Sequence, residues 1–203
     1  MLRSAVVIFL LGILFLHDMK VFGQSKDSTE ARRWYVPGFV PVQYAGNIGF
    51  ISTGVGYASR LRNYELALMY GYAPKSMAGA VIQTLTAKNT FLIIRYPLKN
   101  NEVLIPYLGL GVSFEIGGNA FFRMPSHFPE SYYDYPKNLR FLAYGGAKVQ
   151  HLFDDDFYGL RGVELFAEAG TIDLYIWYKV MSHEIRTNDI FSVAIGANFL
   201  LAE

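Results

Sequence analysis

The sequence predicts an all-β fold, a membrane-spanning antiparallel up-and-down β-barrel of eight strands, and three observations predict it. A short apolar run near the N-terminus reads as an export signal, the remainder alternates apolar with small or polar residues at period two, and no later stretch suits a spanning helix. Composition agrees. Of 203 residues, 52% are hydrophobic and only 17% charged, which excludes a disordered tail and a charge-rich coiled coil. Lys and Arg total 18 against 17 Asp and Glu, so there is no field of one sign and nucleic acid is set aside as a partner. With no Cys, thiolate zinc sites, iron–sulfur clusters, disulfides, a Cys nucleophile and a lipidated Cys are all removed.

Arg3 precedes the unbroken apolar run Ala5 to Leu16, about 18 Å long as a helix and too short to cross a bilayer. Followed by Val21-Phe22-Gly23, it fits a secretory signal peptide over residues 1–23, cut before Gln24. Its removal takes away Arg3, Lys20 and Asp18 and leaves a formally neutral chain. Residues 24–33 then form a periplasmic N-terminal segment, and 34–203 the barrel.

Trp34 to Tyr44 is the candidate first strand, required by parity although Pro37 and Pro41 weaken its ladder. Tyr64 to Tyr72 gives the clearest alternation, with Tyr64, Leu66, Leu68, Tyr70 and Tyr72 opposite Glu65, Ala67, Met69 and Gly71. From Leu85 to Ile93 the apolar set faces Thr84, Thr86, Lys88 and Thr90, at the cost of Asn89 on the apolar side. Leu108, Leu110, Val112 and Phe114 oppose Tyr107, Gly109, Gly111, Ser113 and Glu115. Phe141, Ala143, Ala147 and Val149 oppose Arg140, Tyr144, Gly146, Lys148 and Gln150. Leu165, Ala167 and Ala169 oppose Glu164 and Glu168, with Phe166 on the charged side. The last segment sets Phe191, Val193, Ile195, Phe199 and Leu201 against Ser192, Gly196 and Asn198.

Alternation does not by itself say which face meets lipid. The apolar faces carry Tyr and Phe near their ends, as an interfacial girdle does, and the opposite faces are rich in Gly, Ala and single charges, as a narrow lumen requires. Apolar faces turned inward would instead make a soluble periplasmic barrel for a hydrophobic ligand. Ser59–Asn63, Pro97–Glu102 and Leu152–Tyr158 are short and polar, and read as periplasmic turns. Pro74–Gly79, residues 116–137 and the stretch around Met181–Asn188 then lie outside.

The run Gly196-Ala197-Asn198-Phe199-Leu200-Leu201 resembles the terminal strand signal read by the barrel-assembly machinery, although Ala194 stands where a polar residue is usual and Leu200 to Glu203 follow the aromatic. Gln43–Gly46, Tyr70–Lys75, Thr84–Asn89 and Gly170–Tyr175 are similar to an uncharacterised family of small Gram-negative outer-membrane β-barrels. That resemblance implies the fold, the outer membrane and its lipid, and no activity.

Candidate chemistry is sparse. Ser126-His127 and Ser182-His183-Glu184 lie in the proposed outer loops, but sequence adjacency does not bring a nucleophile, a base and an orienting carboxylate together. The remaining His151 and the Asp154–Asp156 run have no metal-ligand spacing around them, and no cofactor motif is present. The loop aromatics Phe121, Phe122, Phe128, Tyr132, Tyr133 and Tyr135 alternate with Pro125, Pro129 and Pro136, and are expected to fold over the mouth, join the girdle or meet a surface partner. Glu65, Lys88, Glu115, Arg140, Lys148, Glu164 and Glu168 fall on lumen faces, where charges of mixed sign must pair. The expected role is structural or interactive at the cell surface, with an envelope-lipid-modifying enzyme at the outer mouth as the rival.

Overall fold

In a computed structural model, the protein is described over residues 36–59, 61, 63–99, 102–116, 138–181 and 190–202. The signal-peptide segment, Trp34, the loop aromatics Phe121 to Tyr135, Ser126-His127 and Ser182-His183-Glu184 lie outside these residues. The strands are β1 (Phe39–Ala45), β2 (Ile51–Ala58), β3 (Tyr64–Ala73), β4 (Ile82–Leu92), the two-residue β5 (Tyr96–Pro97), β6 (Glu102–Ile116), β7 (Leu139–Phe157), β8 (Leu160–Ile172) and β9 (Ser192–Leu201). Every neighbouring pair is antiparallel, and β1 pairs with β9. The β4–β6 pairing closes the ring, so eight strands form a closed up-and-down barrel and β5 only extends the edge of β6.

One end of the barrel carries the Ser59–Asn63 turn, the β4–β6 connection, the β7–β8 hairpin and both ends of the sheet; we call it the turn end. The other, the loop end, carries the short bend after Ala45, the helical turn Lys75–Ala78, the long connection after Ile116 and the helix Asp173–Met181.

Two expectations need correction. The first strand begins at Phe39 rather than Trp34. Pro41 is tolerated there because pairing with β2 skips Val40 and Pro41, where proline has no N–H to donate, while pairing with β9 is continuous. Leu152–Tyr158 is no turn: β7 runs to Phe157 with an irregular ladder from Leu152, which carries the Asp154–Asp156 run. The hairpin is the pair Tyr158 (φ 50°) and Gly159 (φ 79°), whose positive φ angles suit the twist of a two-residue β-turn. Within the Pro74–Gly79 connection the chain makes a single helical turn, and after β8, where no element was assigned from sequence, it forms a nine-residue helix.

The alternation of the wall has its apolar side out. Leu68, Leu85, Leu108, Leu110, Leu165 and Ile195 are exposed, whereas Glu65, Thr84, Tyr107, Glu164 and Asn198 are buried. Outward rings gather near both ends: Tyr44, Tyr70, Tyr72, Phe141 and Phe191 toward the loops, Phe91, Phe157 and Phe199 toward the turns. Asn89, out of pattern on the outer face, has its amide oxygen taken by the Tyr64 hydroxyl at 2.6 Å, which removes the cost of an unpartnered polar group there.

Candidate functional site: the polar lumen

Strand alternation aims the inner residues of eight strands at one axis, so the lumen is packed with side chains as an eight-stranded closure dictates. Glycines supply the missing room. A side chain at Gly109 would collide with the Tyr144 ring, and one at Gly196 with the Phe166 ring, so the glycine-rich inner faces are the seats of the lumen aromatics.

Five of the seven expected lumen charges are brought together in two clusters. Toward the turn end, Lys148 Nζ lies 2.5 Å from Glu65 Oε1 and 2.7 Å from Glu164 Oε2. Glu164 also accepts from Gln150 Nε2 at 3.0 Å and from Asn198 Nδ2 at 2.9 Å, so both its oxygens are occupied. Arg95, exposed at this end, donates to Gln150 Oε1 at 3.3 Å. Toward the loop end, Lys88 Nζ lies 2.5 Å from Glu168 Oε1 and donates to Gln43 Oε1 at 3.1 Å. Tyr107 donates to Glu168 Oε2 at 3.0 Å, and the Tyr144 ring centroid sits 4.3 Å from the ammonium. Two of the three ion pairs, Glu65–Lys148 and Lys88–Glu168, join β3 to β7 and β4 to β8, strands that are not neighbours, and so cross the lumen; Lys148–Glu164 joins the neighbours β7 and β8.

Glu115 and Arg140 are elsewhere. Both are half-buried at the loop end, with Arg140 Nη1 donating to the Leu139 carbonyl at 3.1 Å and Glu115 opposite Thr84 on β4. Their place on the polar face follows the alternation; their distance from the buried clusters follows from strand stagger, which sequence does not display.

Apolar side chains are buried at both ends of the lumen. Phe39, Leu92, Ile105 and Leu200 are buried toward the turns. At the other end the bend after β1 folds inward: Ile48 is 2% exposed, less than most of the core, and its carbonyl accepts from the Thr84 hydroxyl. Positive φ at Ala45 (59°) and Gly46 (89°) makes this inward bend possible. Below it, Thr86 donates to Ser113 at 2.8 Å.

Sequence reasoning left Gln43, Arg95, Tyr107 and Ile48 out of the candidate set. Tyr107 was legible as an inward position, but nothing marked it as a carboxylate's partner. Gln43, Arg95 and Ile48 lie outside the six alternating segments. His151 is exposed on β7, its ring centroid 5.9 Å from that of Phe153. Among the described residues, no three His, Asp or Glu side chains come together as a metal site.

No family model matches the chain, and no curated protein matches it, so the family resemblance rests on the quoted runs alone. Among solved structures it is similar to the crystal structure of the outer membrane enzyme PagL, with 11% identity and a TM-score of 0.43 over 83% of this chain and 100% of that one.

Proposed function

We propose that the chain is a small outer-membrane β-barrel, closed to ions, with a structural or surface-interaction role. The observation that carries this reading is the inverted polarity of the fold. Leu68, Leu108, Leu110, Leu165, Val193 and Ile195 are between 49% and 65% exposed, while Lys148 and Glu164 are each 2% exposed. In water this arrangement would leave a broad apolar surface uncovered; in a bilayer the lipid covers it. A closed barrel satisfies every wall hydrogen bond internally, as the hydrocarbon region demands.

Closure to ions follows from the same geometry. Cross-lumen ion pairs fill the middle, and Ile48 and Ile105 sit in apolar stoppers at either end. The partners of this reading are outer-membrane lipid along the wall and, during biogenesis, the barrel-assembly machinery reading β9. The residues toward the cell surface, 117–137 among them, would carry any surface partner.

Fractionation of cells expressing the full chain tests the location, and planar bilayers test closure. Expected are an outer-membrane protein starting at Gln24, faster gel migration before boiling than after, and no stable conductance. Recovery in the soluble periplasm would reject the membrane barrel; discrete ion-selective channels would reject the closed lumen.

A further inference from the structure

The helix Asp173–Met181 follows β8 with no intervening residue. The β7–β8 ladder pairs Leu142 with Ile172, which brings the outward Phe141 level with the first residue of the helix, so the helix starts beside β7. The side it turns away from the protein is apolar: Ile176 is 45% exposed, Trp177 52% and Val180 66%. Residues at these spacings share one helical face. A water-soluble protein would turn that face inward. Phe141 and Val193, exposed on the strands flanking β8, lie beside the end of β8 from which the helix starts, so exposed apolar side chains occur both on the wall there and on the helix that follows it.

We propose that this helix is an interfacial anchor, lying along the boundary of head groups and acyl chains in the outer leaflet with Ile176, Trp177 and Val180 in the lipid. The inference rests on the membrane-barrel reading. Two features select lipid over a protein partner as the occupant. The helix starts directly from β8, level with the outward Phe141 of the wall that the bilayer covers. It also carries Trp177, whose ring favours the head-group boundary.

Trp34 and Trp177 are the two tryptophans of the chain, so Trp34→Phe leaves Trp177 as a single reporter. The full chain carrying this change is reconstituted in phosphatidylcholine vesicles brominated either near the head group or deep in the chains. The expected result is blue-shifted Trp177 emission, quenched strongly by shallow bromine and weakly by deep bromine. Adding Ile176→Asn and Val180→Asn should lose that quenching while the heat-shifted gel band persists. A control with Trp34→Phe, Trp177→Phe and Leu108→Trp reports on the wall and should be quenched by deep bromine. If the wall reporter is quenched and Trp177 is not, the anchor is overturned and the barrel stands. Blue emission in that case would mean a covering protein segment such as 117–137, and red emission would mean water. If neither reporter is quenched, the membrane reading fails and the anchor with it.

Discussion

The two lysine clusters of the lumen neutralise the same kind of buried cation by different means. Lys148 lies between two carboxylates, and one of them, Glu164, is held by two side-chain amides besides. Lys88 has a single carboxylate and makes up the difference with neutral groups: the Gln43 amide, the face of Tyr144, and Tyr107 on the far oxygen of Glu168. The difference teaches where the barrel is brittle. A cluster built from ions leaves uncompensated charge when one member goes, whereas dipoles and ring faces leave a smaller deficit.

The largest expected effect is therefore that of Lys148→Met, which strands Glu65 and Glu164 together. A loss of about 3–5 kcal/mol is expected for breaking a buried pair, read as a collapse of the fast-migrating folded band and a lower urea midpoint. Adding Glu65→Gln and Glu164→Gln should restore most of it. Lys88→Met leaves one carboxylate, still bonded to Tyr107, and should cost about 3 kcal/mol, at the low end of that range. Equal midpoints for the two lysine variants would erase the distinction between the clusters.

On the outer wall, Leu68→Arg should cost about 2–3 kcal/mol of assembly free energy, as charge on a lipid face does, while Leu68→Ile should be silent in the same urea titration. Equal tolerance of Arg and Ile would mean that this face does not meet lipid. Gly109→Ala is expected to push the Tyr144 ring off Lys88 and cost about 1–2 kcal/mol as an overpacked site. Measured in the Lys88→Met background its cost should shrink, because the ring then has no cation to cover; strict additivity would show that the ring and the ammonium are uncoupled. The smallest effect belongs to Arg140→Ala. At the half-buried loop end it should shift the midpoint by no more than about 1 kcal/mol, the range of solvent-accessible charges.

Six of the eight wall strands were legible by their alternation, because a strand whose two faces meet different environments must alternate strictly and any slip would exchange them; β1 was reached only by parity, and β2 was not read as a strand. Glu65, Lys88, Lys148, Glu164 and Glu168 fell on the correct face by that rule alone. Even Phe166, which seemed misplaced among carboxylates, fits inside once Gly196 leaves space for its ring. The extent of β7 was misread for a local reason. A polar, acidic stretch resembles a turn, and only its pairing with β8 as far as the Phe157–Leu160 contact shows it to be strand.

What the sequence by itself determined is the period, the facing and the parity of the strands, since each depends on neighbours two residues apart in the chain. Only the tertiary structure decided who meets whom across the lumen. Lys148 and Glu65 are 83 residues apart, Lys88 and Glu168 80 apart, and those distances close through the stagger of eight strands around a ring. The same holds for Ile48, which no periodicity singles out: it becomes a stopper because the bend after β1 folds inward over a mouth that exists only after the barrel has closed.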